Sequence, residues 1–303
     1  MDVIVGSLRR WFDTDTPPQD RDAGRIDWLR GAPFVGLHLG CLAVLWVGVS
    51  RIALEVAAVT YAVRMFAITA FYHRYFAHRT FRTTRALQFA FAVLGATSVQ
   101  RGPLWWAAHH RRHHQHADTA LDPHSPRDGF LRSHMLWFLR SEAFATDWKR
   151  IPDLARYPEL RWLDRYDIAV PVLFATLLYA GGALLARYAP QFGTSGAQLL
   201  VWGFCVSTVV LFHVTVTINS LAHRFGARRY DTRDDSRNNF WLALLTFGEG
   251  WHNNHHHFPG SVRQGFRWWE VDLTYYGLRL MALLGLVQRL KPVPARVLRP
   301  RGR

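Results

Sequence analysis

Nine histidines in this chain fall into four clusters with the spacings of metal ligands. They are His73 and His78; His110, His113 and His114; His223, with Asn219 beside it; and His252, His255 and His256. A neutral imidazole is the commonest protein ligand for borderline metals. Each cluster sits just beyond the same end of an apolar run, so the nine rings would gather at one depth and hold more than one ion. Residues three and four apart share a face of an α-helix, and both histidine triplets fit that rule. Asn219 and His223, four apart, prolong the last long apolar run with both side chains on one stripe. His73 and His78 are five apart, about 140° around a regular helix. They meet one site only if the helix ends or distorts between them, which predicts His73 on a last turn and His78 just past it.

Other histidines lie close by. By spacing His109 pairs with His113 as His110 does, and His257 competes with His256; the repeated offset of three and four favours His110 and His256. His116, His124 and His134 are further neighbours. One histidine pair at helical spacing is more often core or surface than ligand, and loose metal-buffering tracts are compositional runs. Four clusters sharing one side, set among apolar and aromatic residues, are neither. His38 and His213 fall inside apolar runs, where hydrogen-bonded structural roles are expected.

The elements that must position these residues are apolar spans. The 303 residues are 50% hydrophobic, a composition that suits a large soluble domain or a small membrane protein. Position along the chain decides. Residues 32–50, 52–72, 168–186 and 198–218 approach the roughly 20 residues that cross a bilayer core, which predicts four transmembrane helices. The runs at 86–99 and 240–247 are too short, and 273–290 carries Arg279 and Arg289 in an amphipathic pattern; these read as buried, re-entrant or interfacial segments. Residues 1–31 carry Arg9, Arg10, Asp13, Asp15 and Asp20 and have no signal-peptide pattern. Val3, Ile4, Val5, Leu8, Trp11 and Phe12 suit a short interfacial helix ahead of Pro17 and Pro18. Cys41 and Cys205 are the only cysteines, too few for a disulfide scaffold, a zinc ribbon or an iron–sulfur cluster.

A formal charge of +15 would suggest nucleic acid in a soluble protein. Its distribution excludes that reading. Five of the 37 Lys and Arg lie in residues 1–33, 15 in 73–167 and 14 in 221–303, leaving only Arg51, Arg64 and Arg187. By the positive-inside rule both termini and both long segments face the cytoplasm. The expected organisation is a cytosolic segment 1–31, a domain 32–290 with a cytosolic cap at 73–167 and 219–290, and a basic tail 291–303.

HRYFAHRTF at 73–81, HRRHH at 110–114 followed by DTALDPHSPRDGF at 118–130, NSLAHRFG at 219–226 and GEGWHNNHHHFP at 248–259 resemble the acyl-CoA Δ9 (stearoyl-CoA) branch of the membrane fatty acid desaturases. The resemblance covers about residues 30–290. It implies an all-α integral membrane protein, four transmembrane helices carrying a cytosolic helical cap with a His-rich di-metal site. It further implies two irons held by the nine histidines, Asn219 reaching the metal through water, O₂ as co-substrate, and a cis double bond placed at C9–C10 of a saturated acyl-CoA. No cytochrome domain is fused, so a separate ferredoxin-like or cytochrome b5-like electron donor is implied.

The chemistry suits such a site. An unactivated methylene has no acidic proton and no leaving group, and histidine-bound iron with open positions can activate O₂. Regioselectivity must come from position along an anchored acyl chain. Tyr61, Met65 and Thr69 repeat every four residues toward His73; that stripe either closes an apolar tunnel or is ordinary helix packing. Ligating histidines usually donate their other N–H to a carboxylate or carbonyl. Asp118, Asp122, Glu249 and Asp272 are candidates for that role, or else surface charges and helix caps. Arg111, Arg224 and Arg228 are candidates for the phosphates of coenzyme A, and Trp105, Trp106, Trp251, Trp268 and Trp269 wall the site or anchor the interface. Two other readings compete. A di-iron lipid or alkane hydroxylase would give a hydroxylated product, and a metal transporter would carry ionisable ligands along its spans, which here hold only Glu55, Arg64, His38 and His213.

Overall fold

Four helices are long and apolar enough to cross a bilayer: Trp28–Val47, Arg51–Ala77, Ala169–Tyr188 and Gly196–Ser220. Each lies within a few residues of the span expected from hydropathy. The computed structural model describes residues 12–14 and 24–298, which are helical with no strand. Of the amphipathic segment expected near the N-terminus only Phe12 is among the described residues, and of the basic tail residues 299–303 lie outside them.

Local chemistry sets the ends of the spans. Gly48, at φ +65°, ends the first span in a conformation that favours glycine. Ser50 then starts the second, its Oγ accepting the Ala53 N–H at 3.1 Å. Arg64 is a full charge inside the second span, yet only 1% exposed. It donates to Thr208 Oγ1 at 2.6 Å, Ser207 Oγ at 2.7 Å and Thr60 O at 3.0 Å. Those acceptors satisfy the guanidinium where water is absent and tie the second span to the fourth. His38 and His213 also bridge spans. Their Nε2 atoms are 2.9 Å apart, His213 Nδ1 is 3.0 Å from His134 Nε2, and His134 Nδ1 is 2.9 Å from Ser220 Oγ. The expected hydrogen-bonded role holds for both.

The three shorter apolar runs form helices Arg85–Ala96, Phe240–Leu245 and Leu273–Leu283. They line the second span: Tyr61 Oη donates to Leu245 O at 2.7 Å, Thr69 Oγ1 lies 2.7 Å from Thr274 Oγ1, and Phe91 stacks on Phe71 at 3.8 Å. Their outer faces are apolar and exposed, with Trp241, Leu245, Leu280 and Leu283 outermost. This is the pattern of helices lying in the membrane interface.

Beyond the spans, the helix Pro103–His116 is the main support of the site. Asp164 Oδ1 accepts the N–H groups of Leu104 and Trp105 at 2.9 and 2.8 Å, capping the helix start. Gly102 is required there, since a Cβ would lie 2.2 Å from Asp164 Oδ1.

Candidate metal centre and adjoining cavity

The second span ends at Ala77, with His73 on its last turn and His78 just past it as expected, and it changes pitch before that end. Residues Ala67–Ala77 form a π-helical stretch, and the His78 N–H bonds to His73 O, five residues back, at 3.2 Å. A five-residue step replaces the 140° separation with near-alignment, leaving the two rings 4.8 Å apart. The expected distortion is a π-helical stretch, and the helix ends between the two residues as well.

The nine histidines gather in two groups. His73, His78, His110, His114 and His255 form one, and His113, His223, His252 and His256 the other, with the ligand atoms of each group within 4.8 Å of one another. The triplets divide differently from the expectation that each serves one site. His110 and His114, four apart, serve the first group while His113 turns to the second; His252 and His256 serve the second while His255 turns to the first. The fourth span stops at Ser220, so His223 is delivered by the turn that follows and not by a continued helix.

His109 and His257, the competing neighbours, join neither group. His109 Nδ1 is bonded to Trp105 O at 3.0 Å, and the His257 ring stacks on Tyr230 at 4.0 Å. His124 lies beside the second group, its ring 4.4 Å from that of His113.

Carboxylates hold the outer edges of four rings. Asp122 Oδ2 lies 3.0 Å from His113 Nδ1, Asp118 Oδ2 2.9 Å from His223 Nδ1, Asp234 Oδ2 2.8 Å from His256 Nδ1 and Glu249 Oε2 2.5 Å from His73 Nδ1. Asp272 stands one step further out. It accepts from Arg74 Nη2 at 3.0 Å, and Arg74 also donates to Glu249. Asp234 and Arg74 were not singled out by sequence; Asp234 comes from a loop with no periodic relation to His256, and Arg74 reads as one more basic residue of the long segment. Asn253 and Asn254, between the histidines of the last cluster, fasten that loop: Asn253 Oδ1 accepts from Tyr230 N at 2.7 Å, and Asn254 Nδ2 donates to Glu270 Oε2 at 2.9 Å. The Gly248 and Gly250 flanks of Glu249 are steric necessities. Gly248 has φ +123°, and a Cβ on Gly250 would lie 2.1 Å from Ala243 N.

These contacts test whether the rings suit a metal. His113 and His256 each turn Nδ1 to a carboxylate, so in the tautomer that donates Nδ1–H each Nε2 presents a lone pair, and the two Nε2 atoms face each other at 3.4 Å. With both rings in that form, no hydrogen lies between them and a cation fits the gap. Burial, reinforced by neighbouring rings, drives His78, His110, His114, His252 and His255 well below the usual imidazole range. Burial likewise takes His256 down to about 4 despite Asp234. These rings stay neutral at pH 7, the state in which imidazole binds metal. Burial also opposes charge on His113, but Asp122 outweighs it and the net shift is upward.

An apolar cavity of about 610 Å³ opens beside the first group. His110 and Asn219 border it near the histidines, with Trp106 stacked on His110 at 4.9 Å. From there it runs along the first, third and fourth spans to Tyr179 and Leu200. Tyr61, Met65 and Thr69 do not line it. Met65 and Thr69 are buried and Tyr61 is half-buried against the second span's own neighbours, because a period of four marks a shared face without saying what that face meets. The three arginines proposed for coenzyme A have protein partners. All five N–H groups of Arg111 go to Phe76 O, Ala77 O, Arg150 O and Asp153. Arg224 donates to Pro126 O, and Arg228 to Thr232 O and Asp234 O. Trp105 lines the cavity, Trp251 is buried with Nε1 on Val271 O at 2.8 Å, and Trp268 and Trp269 are exposed.

A family model described as fatty acid desaturase matches residues 50–285. The chain belongs to the fatty acid desaturase family. It is 38% identical to the sn-1 stearoyl-lipid 9-desaturase of Anabaena variabilis over 92% of this chain and 96% of that protein. It is 39% identical to an acyl-CoA 5-desaturase of Anemone leveillei, over 86% and 78%, and 36% identical to delta-9 acyl-lipid desaturase 1 of Arabidopsis thaliana, over 90% and 86%. Both histidine groups and most of the cavity wall fall within the matched residues. This desaturase is an integral membrane protein with four spans, and its histidine clusters form groups able to hold metal.

Proposed function

We propose that this desaturase uses two irons, O₂ and two electrons to convert a saturated acyl chain to its cis-Δ9 product. The observation that carries the reading is the junction of two histidine groups with one apolar cavity. His73, His78, His110, His114 and His255 would hold one iron, and His113, His223, His252 and His256 the other, with Asn219 acting through water. Bound iron would supply the oxidant that an unactivated methylene requires. In the net reaction two neighbouring carbons each lose a hydrogen, and O₂ takes these together with two electrons and two protons to leave two waters.

The protein's own residues supply position and dryness. Asp122, Asp118, Asp234 and Glu249 fix the four rings they touch and keep each Nε2 free to bind. The apolar cavity wall excludes water and aligns the chain so that neighbouring methylenes, nearly equivalent chemically, differ by place. The positive-inside rule applied to the Arg-rich segments supports a cytoplasmic side for the site and both termini, where an acidic ferredoxin-like or cytochrome b5-like donor would dock by charge complementarity.

The test is expression in a host lacking its own Δ9 desaturase, followed by fatty-acid analysis. New cis-Δ9 monounsaturated product is expected from the native chain and none from His113→Ala. A hydroxylated product would replace this reading with a hydroxylase, and no product from an iron-loaded native chain would remove it.

A further inference from the structure

The cavity wall is shared with the outer surface of the bundle. Val172, Thr176 and Tyr179 follow one another at helical offsets on the third span and line the cavity, yet Val172 is 55% exposed and Tyr179 51%. Residues walling a closed tunnel would be buried. At this depth the only medium outside the protein is hydrocarbon, so the cavity is a trough whose long side faces the bilayer. Its back wall is Leu200 and Phe204 of the fourth span. Its opposite lip is the first span, at Leu37. The first and third spans each pack along the fourth and share no extended packing with each other, which leaves the gap between them.

The trough also has one polar end. Where the first and third spans begin, Arg30, Arg101 and Asp167 join its lining, with Arg101 Nε 3.0 Å from Asp167 Oδ2. That is the level at which a lipid ester and head group lie. Arg111, one of the candidate arginines, has no N–H left for a coenzyme A phosphate.

We propose that the acyl chain enters sideways from the bilayer between the first and third spans, and that its carrier is a membrane glycerolipid, desaturated without leaving its ester. The proposal rests on the desaturase reading for its chemistry, but the trough can be tested apart from catalysis. A lipid tail sliding in laterally exchanges one hydrocarbon surface for another. A coenzyme A thioester must instead be admitted from water with its nucleotide held at the cap.

The experiment uses the full chain in phosphatidylcholine vesicles. The probe is phosphatidylcholine carrying a diazirine near its acyl terminus, and labelled peptides are mapped. Labelling of the peptide containing Val172–Tyr179 and of the one containing Leu200 is expected. In Thr176→Trp, and independently in Val172→Trp, that labelling should fall to background while labelling of the exposed helix Leu273–Leu283 persists. Both substitutions sit on lipid-facing positions and leave the helix core intact. In parallel, vesicles with isotopically labelled stearoyl phosphatidylcholine, supplied with reductase and donor, should yield labelled oleoyl phosphatidylcholine, and stearoyl-CoA should not compete. Desaturation confined to stearoyl-CoA, or trough labelling unchanged in both tryptophan variants, would overturn lateral entry and leave the desaturase reading standing. Trough labelling with no desaturation of either carrier by iron-loaded protein would overturn the desaturase reading instead.

Discussion

Asp234 Oδ2 lies 2.8 Å from Nδ1 of His256, and the two residues reach each other from separate parts of the chain, a loop and a short helix. This carboxylate fixes the tautomer of a ring that faces His113. Asp234→Ala is expected to weaken metal binding by the four-histidine group about 10–100-fold while the five-histidine group stays loaded. Elemental analysis of purified protein would show metal content per chain falling by half, partly restored in Asp234→Glu. Full metal content in the alanine variant would deny Asp234 a positioning role.

Arg74 is 1% exposed and joins Glu249 to Asp272. Removing it leaves two buried carboxylates without the guanidinium that pairs them, a loss of about 3–5 kcal/mol. Arg74→Met should lower the thermal midpoint in detergent far more than Arg111→Met, whose partners are more exposed. Equal effects would mean the network carries no special weight.

Chain-length preference should follow the cavity and not the second span. Leu200 and Tyr179 are the lining residues farthest along the spans from the histidines, so Leu200→Ala is expected to shift products toward longer acyl chains. Met65→Ala, buried but off the cavity, should leave the profile unchanged. Gas chromatography of cells fed mixed saturated acids separates the outcomes, and a shift in Met65→Ala alone would return the gate to the second span.

Asp164 gives a pH dependence. Burial pushes its carboxyl from an ordinary 3.8 up to about 6. The folded state therefore binds this proton more tightly than the unfolded chain, so the stabilisation is complete below about pH 4 and is lost as pH rises through about 6. Two units correspond to about 3 kcal/mol. Asp164→Asn keeps an acceptor for the Leu104 and Trp105 N–H groups and removes the titration. The midpoint difference between variant and native protein should grow in the variant's favour from pH 4 to pH 7, and a flat difference would contradict the shift.

Much of this was legible in the sequence, for identifiable reasons. Bilayer thickness imposes a length on apolar helices, so the four spans stood out. Helical offsets selected His110 over His109 and His256 over His257, and the two groups contain the selected ones. Spacing did not reveal that each triplet splits between groups, because sides three and four residues apart differ by enough to face different neighbours. Spacing required the helix to end or distort near His73 and His78, and it carried no mark of the π-helical pitch that the distortion takes. Asp234 was hidden because loop carboxylates carry no periodicity. The stripe Tyr61, Met65 and Thr69 left two readings open because a helical face looks the same whether it meets a helix or a cavity.

The split triplets have a mechanical consequence. His110 and His114 point one way from the helix Pro103–His116 and His113 the other; His255 and the pair His252 and His256 repeat this on the helix His252–His257. Two rigid rods thus act as struts between the centres. The separation of the two histidine groups is set by the girth of an α-helix, and loop motion during substrate exchange would leave it unchanged unless both struts bent together.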